Sequence, residues 1–157
     1  MAARRSAPRK DSSSAARARP TMKSTPKRVS TRPSTHMETF ANPRPGRDYE
    51  IRMEIPEFTC VCPMTGQPDF ATITIRYVPA FRIVESKSLK LYLGTYRNEG
   101  IFQEHLVNTI CDDLVRALDP EWIEVTGAFK SRGGIAITVV ASHARSTTSP
   151  VRRAKRR

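Results

Sequence analysis

Two stretches of the sequence alternate apolar and polar side chains, and this period of two most restricts the fold. The first covers residues 49–55 and the second residues 71–78, and a proline follows each of them. Alternation of this kind predicts strands with one buried face and one face open to water. We expect the first strand to end at Pro56 and the second at Pro79.

Helical spacing replaces alternation in the middle of the chain. Ser86 is a candidate cap for a short helix over residues 87–93, and a longer helix is predicted over residues 101–118. In the longer helix, Val107, Ile110, Leu114 and Leu118 are three or four residues apart and form one apolar stripe. The Asp-Pro pair that follows is typical of a helix end.

Two further strands are predicted after the helices, over residues 122–126 and 135–140, with Gly133 and Gly134 in a tight turn between them. The order strand, strand, helix, helix, strand, strand indicates an α+β fold with helices on one face of an antiparallel sheet. Because such a sheet has open edges, we expect it to continue into a neighbouring subunit.

The net excess of positive charge lies entirely in the two ends of the chain. Residues 1–40 contain ten Lys or Arg and two acids, and residues 143–157 contain six Lys or Arg and no acid, whereas the middle is slightly acidic. The ends are poor in large apolar residues, so we predict disordered basic tails over 1–44 and 143–157 and one folded domain over 45–142. A charge run specifies no partner, and the interpretation that the tails aid solubility is favoured over weak RNA binding.

The chain has three cysteines, an odd number, and no recognisable secretory signal or membrane-spanning stretch. The Arg-rich start suggests an organelle transit peptide, but its repeated prolines would break the helix that such peptides form. A reduced cytoplasmic location is therefore expected, with thiols free for chemistry.

The segment FTCVCPMTGQPDF, residues 58–70, is the first candidate site. Cys62 is followed seven residues later by Asp69, after a Gly-Gln-Pro turn. A thiolate and a carboxyl group suit addition to an electrophilic carbon whose attached nitrogen must be protonated. Taken alone the signal is weak, because a free cysteine is more often a buried small apolar residue.

Two further motifs carry candidate binding residues. ESKSLKLYL, residues 85–93, places Lys87 and Lys90 on one face of a short helix, where they are suited to phosphate groups or only to solvent. FQEH, residues 102–105, begins the long helix, and Glu104 there is suited to accept two parallel hydrogen bonds from a guanine-like base. Glu in a first helical turn is also favoured by the helix dipole alone.

These motifs, followed by SRGGI at residues 131–135, stand in an order and spacing that resemble the short, single-module form of the 7-cyano-7-deazaguanine reductases. The resemblance implies the tunnelling fold of GTP cyclohydrolase I, with ββααββ subunits assembled into rings, two stacked pentamers being the suggested assembly. It implies reduction of the nitrile of 7-cyano-7-deazaguanine to an aminomethyl group with two NADPH, on the route to queuosine in tRNA.

The resemblance also implies roles for individual residues. Cys62 would add to the nitrile to form a covalent thioimide, and Asp69 would assist by proton transfer. The substrate-binding residues would be Val84, Glu85, Ser86, Gln103 and Glu104. The contacts to NADPH phosphates would be Lys87, Lys90 and Arg132.

Two departures from the family pattern are visible. Gln103 stands where relatives commonly have His, and an amide carries no proton at neutral pH, so an imidazole proton shuttle at this position is in doubt. Cys60 stands where Ser is frequent, and we do not expect it to be the nucleophile.

Two other functions remain open from the sequence. A zinc-dependent cyclohydrolase on the same fold would need a ligand set such as Cys60, Cys62, His105 and Cys111, but these residues lack the usual metal-ligand spacing. We predict no metal. The second is an RNA-binding module that acts through its tails. The chain lacks the interleaved aromatic residues that such a module uses, so nucleic acid is not expected to be required.

Overall fold

The computed structural model describes residues 36–146 as a small antiparallel sheet covered by helices on one face. Its elements are β1 Thr39–Ala41, β2 Ile51–Val61, β3 Pro68–Val78, β4 Arg82–Val84, α1 Ser86–Gly94, a 3-10 turn Thr95–Asn98, α2 Gln103–Leu118, β5 Trp122–Phe129 and β6 Thr138–Ala144. The α+β fold predicted from the sequence is confirmed. In the described part of the chain, neither helix is both long and apolar enough to cross a membrane.

The main sheet has the strand order β2-β3-β5-β6, and every neighbouring pair is antiparallel. The inward side chains of β3 and β5 alternate with polar ones, as the period of two predicted. The buried set includes Ile73, Ile75, Ile123 and Val125 from the sheet and Leu106, Val107, Ile110 and Leu114 from α2. Burial of these aliphatic side chains, each stabilising by about 1.5–3 kcal/mol, holds the layers together.

The first predicted strand continues past the proline that was expected to end it, so that prediction was wrong. Strand β2 continues through Pro56, with an irregularity in the pairing register between Ile55 and Phe58. Proline has no N–H to donate, and an edge strand with a bulge tolerates it because that donor is not needed there. As a result Cys60 and Asp69 lie in paired strands, and only the short segment between β2 and β3 is a turn.

The folded part extends beyond the predicted boundaries of 45 and 142. Strand β1 pairs with β4, and β6 reaches Ala144, after which Arg145 forms ion pairs with Asp119 and Glu121. Strand β6 begins at Thr138 rather than at residue 135, because residues 132–135 form the turn before it. The disorder predicted for the rest of the tails falls on residues 1–35 and 147–157, outside the described residues.

Glu38, the residue before β1, holds the start of α1 in place. The N–H of Glu38 donates to the Ser88 hydroxyl at 2.6 Å, and the N–H of Glu85 donates to the Glu38 carbonyl at 2.9 Å. Three residues are too short a run for periodicity to be detected, which is why the sequence did not reveal this strand.

Gly127 in β5 is predicted to be required for packing against α2. A Cβ atom there would lie 2.6 Å from Cγ2 of Val107 and 3.0 Å from Cε2 of Phe129. We expect Gly127→Ala to lower the free energy of unfolding by about 1–3 kcal/mol through overpacking. Denaturant unfolding checks this.

Gly94 offers the matched control. It ends α1 with a φ of −64°, and no atom lies within 4 Å of a Cβ built there. Gly94→Ala should therefore be neutral or stabilise the fold by up to about 1 kcal/mol. Equal losses of stability in the two variants would contradict the packing explanation.

Candidate active site

The turn between β2 and β3 begins at Cys62. The N–H of Cys62 donates to the Gln67 carbonyl at 2.8 Å, and the N–H of Gly66 donates to the Cys62 carbonyl at 2.9 Å. Gly66 has a φ of +69°, a conformation that favours glycine. This closed turn aims several amide N–H groups inward and fixes the cysteine at its first position.

The hydrogen bonds around Cys62 favour its thiolate. The Thr65 hydroxyl contributes most, followed by Arg132 and the N–H groups of Met64 and Thr65, and together they lower the pKa of the Cys62 thiol to about 7. The thiolate is the nucleophilic form of cysteine, so a substantial fraction is reactive at neutral pH.

The other two cysteines have the opposite environment. Cys60 is 0% exposed and lies opposite Asp69 in the β2–β3 pairing. Burial, followed by the nearby Asp69 carboxylate, raises the pKa of Cys60 to about 11. Burial likewise raises the pKa of Cys111 in α2. Of the three thiols, only Cys62 is prepared to react.

Asp69 and Arg132 complete the cluster around Cys62. Asp69 is 3% exposed, and its Oδ1 forms an ion pair with Nε of Arg132 at 2.7 Å. The same guanidinium donates a hydrogen bond to the Cys62 sulfur. The structure thus brings together Cys62 and Asp69, which were predicted as a pair, and Arg132, which was predicted as a cofactor contact.

The start of α2 is joined to this cluster through the backbone. The N–H of Val61 donates to the Glu99 carbonyl at 3.0 Å, and the N–H of Ile101 donates to the Val61 carbonyl at 3.1 Å. Gln103 and Glu104 therefore begin their helix next to the Cys62 turn. Glu104 is exposed and available to a ligand.

Gln103 is 8% exposed, and its Oε1 has no hydrogen-bond partner among the described residues. A buried amide oxygen without a donor is costly, by about 1–3 kcal/mol. The position is therefore suited to an external N–H or O–H donor, and the substrate contact predicted for Gln103 stays a prediction.

Glu85, and not Ser86 as predicted, caps α1. Its carboxylate oxygens accept hydrogen bonds from the N–H groups of Lys87 at 2.9 Å and Ser88 at 2.7 Å. These hydrogen bonds lower the pKa of Glu85. The helix N-terminus is therefore already occupied by a carboxylate and is not available to a phosphate group. Val84 is buried just before it, and its N–H donates to the Tyr77 hydroxyl at 3.3 Å.

A cleft of about 350 Å³ separates α1 from the edge strand β2. Its lining is mostly apolar, with charged groups at its rim. The lining residues are Met53, Ile55, Glu57, Phe58, Thr59, Ser86, Leu89, Lys90, Leu93, Gly94 and Arg97. Lys90 thus faces the cleft as a candidate phosphate contact, whereas Lys87 is exposed outside this lining.

Within residues 36–146, no group of three or more His, Cys, Asp or Glu side chains is arranged to hold a metal ion. The ligand set imagined for a zinc enzyme is therefore not assembled in this part of the chain.

Sequence reasoning did not identify Thr65 as a member of the site or Arg132 as a partner of Cys62 and Asp69. The sequence feature that could have indicated Thr65 is its position three residues after Cys62, within the same turn. Arg132 is 63 residues distant from Asp69, and only the SRGGI motif marked it.

Comparison with known proteins identifies similar sequences. A family model described as QueF-like protein matches residues 68–148. A protein from Anaeromyxobacter sp. (strain K), named NADPH-dependent 7-cyano-7-deazaguanine reductase, is 67% identical over 113 residues, which cover 72% of this chain and 93% of the relative. A protein of the same name from Alkalilimnicola ehrlichii is 57% identical over 122 residues, covering 78% and 95% of the two chains.

A solved structure shares the fold. The crystal structure of the archaeosine synthase QueF-Like in the apo form superposes with a TM-score of 0.57 at 22% identity, covering 61% of this chain and 94% of that one. At this identity the likeness supports the fold alone.

Proposed function

This chain belongs to the QueF-like family, and we propose that it is an NADPH-dependent reductase that converts the nitrile of 7-cyano-7-deazaguanine to an aminomethyl group. The product is the 7-aminomethyl-7-deazaguanine of queuosine biosynthesis. The observation that carries the mechanism is the Cys62 thiol, whose pKa is lowered to about 7 beside the buried Asp69.

In the proposed first step, the Cys62 sulfur attacks the nitrile carbon. The new S–C bond forms as one π bond of the nitrile opens, and the nitrogen takes the proton that the thiol gives up. In this proposal Asp69 accepts that proton and passes it to the nitrogen, which yields a neutral thioimide. The electron count is unchanged in this step, so the intermediate stays at the oxidation level of the nitrile.

NADPH, when bound, supplies the hydride for each of the two reductions that follow. The cleft between α1 and β2 fits such a group, because its apolar walls suit a flat ring and Lys90 and Arg97 lie at its edge for phosphates. Lys87, Lys90 and Arg132 remain the three residues that we propose as contacts to the NADPH phosphates.

Substrate recognition is proposed for the carboxylates and the amide near the starts of the two helices. Glu104 accepts hydrogen bonds from the N–H edge of the deazaguanine, and Gln103 offers its unpartnered oxygen. Val84, Glu85 and Ser86, where β4 leads into α1, are the other proposed substrate contacts, and Ser86 lines the cleft between α1 and β2. The bonds from Lys87 and Ser88 hold the Glu85 carboxylate in place and leave lone pairs for the ligand.

A homo-oligomer, a decamer of two stacked pentamers, is proposed to complete the sites. The main sheet ends in two edge strands, β2 and β6, which leave backbone hydrogen-bonding groups available to another copy. On edge strand β6, the exposed apolar side chain of Val140 would be covered by such an assembly. Nucleic acid is not required for this reaction.

The reaction is tested by following NADPH absorbance after addition of 7-cyano-7-deazaguanine to reduced protein. Substrate-dependent oxidation of two NADPH per nitrile is expected. Metal analysis of the same sample provides the comparison with the cyclohydrolase hypothesis. One tightly held zinc per subunit with no NADPH oxidation would refute the reductase and favour the zinc enzyme.

A further inference from the structure

The segment that carries Arg132 is a rigid two-residue hairpin turn. Arg132 and Ile135 exchange both backbone hydrogen bonds, at 3.0 and 3.1 Å, and Gly133 and Gly134 have φ angles of +56° and +84°. Positive φ at both central positions is typical of a type I′ turn, which glycine adopts without strain. The N–H of Lys130 also donates to the Phe70 carbonyl at 2.8 Å, which holds the segment against β3.

From this fixed position the Arg132 side chain contacts two acidic groups. Its Nε lies 2.7 Å from Oδ1 of Asp69, and the guanidinium donates a hydrogen bond to the Cys62 sulfur. The guanidinium is planar and always charged, with several N–H donors in a fixed geometry, so one side chain serves both partners.

A cation suits this place because the Asp69 carboxylate and the Cys62 sulfur both meet the same guanidinium. The carboxylate is buried, and its field already contributes to the raised pKa of Cys60 on the neighbouring strand. A Cys62 thiolate formed beside it would be disfavoured by the same repulsion. The described groups that act on Cys62 are the Thr65 hydroxyl, the amides of Met64 and Thr65 in its own turn, and Arg132, and Cys60 on β2 is coupled to it.

We propose that Arg132 is a positioning residue that holds the Cys62 thiolate and the Asp69 carboxylate side by side in the resting enzyme. This role differs from a contact to an NADPH phosphate, and it rests on the proposed function only in taking Cys62 as the nucleophile. The Thr65 hydroxyl and the turn amides act on the sulfur alone, whereas Arg132 acts on both acidic groups.

The test is the pH dependence of Cys62 alkylation by iodoacetamide, followed by peptide mass spectrometry without substrate or NADPH. In the unaltered protein the rate should rise with pH through an inflection near 7, because the thiolate is the reacting form. In Arg132→Gln the inflection should move up by roughly one unit or more, toward the ordinary thiol value of about 8.5. In Arg132→Lys the inflection should lie between those of the unaltered protein and Arg132→Gln. Lysine keeps the positive charge but loses the planar guanidinium that serves both partners.

Lys130→Gln is the matched control. Lys130 is a cation two residues away, and its Nζ lies 5.9 Å from the centre of the Phe70 ring. This variant should leave the inflection unchanged. An unshifted profile in Arg132→Gln, or an equal shift in Lys130→Gln, would overturn the proposal. Because alkylation needs no nitrile or NADPH, absence of reductase activity would count against the proposed function and leave this inference standing.

Discussion

Cys62→Ala is expected to abolish nitrile reduction, with kcat falling by at least about 1000-fold, while 7-cyano-7-deazaguanine still binds. The reason is that no other described thiol is prepared to react, since burial raises the pKa of both Cys60 and Cys111. Removal of a nucleophile commonly costs about this much or more in kcat. Steady-state NADPH oxidation and equilibrium substrate binding measure the two parts of the prediction.

Cys60→Ser is the matched control for this variant. Cys60 is fully buried two residues before Cys62 and lies in β2 opposite Asp69. Its replacement should cost some stability and little activity, because its thiol stays protonated at neutral pH. If instead Cys60→Ser were inactive and Cys62→Ala retained turnover, the assignment of the nucleophile would be wrong.

Asp69→Asn is expected to slow the reaction about 100-fold or more, with substrate affinity changed only a few-fold. Asparagine keeps the size of the side chain and removes its capacity to carry a proton, and general acid–base catalysis contributes about 10²–10⁴ in rate. Single-turnover measurement of thioimide formation separates this effect from binding.

Asp113→Asn provides the comparison, because Asp113 is also a buried carboxylate paired with an arginine. It accepts hydrogen bonds from the Tyr92 hydroxyl at 2.8 Å and from Arg116 at 2.6 Å. Its substitution should lower stability by about 1–3 kcal/mol and leave the rate of the folded protein unchanged. Equal rate losses in the two variants would indicate that Asp69 acts only through the fold.

The elements with long periodic patterns could be predicted from the sequence. The alternation in residues 71–78 and the stripe in α2 both follow from burial of one face, a physical cause that acts locally along the chain. The proposed nucleophile Cys62 and the carboxyl group of Asp69 also lie close in sequence, which allowed us to predict them as a pair.

The remaining features depend on contacts between distant segments. Pro56 stays inside β2 because this strand is an edge of the main sheet, and the three residues of β1 are a strand only because β4 pairs with them. Arg132 reaches Asp69 because β3 and β5 are neighbours in the sheet. Sequence spacing contains no signal for such pairings.

Gln103 is one of the two positions at which this chain differs from the expected family pattern. Its buried oxygen lacks a donor in the described structure, and an amide cannot transfer a proton at neutral pH. We therefore propose that the first proton transfer involves Asp69 and Cys62 alone and that Gln103 only forms hydrogen bonds.

The most direct test of the account is the mass of the whole protein after incubation with 7-cyano-7-deazaguanine in the absence of NADPH. Addition of the thiol to a nitrile loses no atoms, so each chain should gain the mass of one substrate molecule, on the peptide that contains Cys62. The adduct should be absent in Cys62→Ala. An unmodified protein, or an adduct on Cys60, would contradict the proposed covalent mechanism.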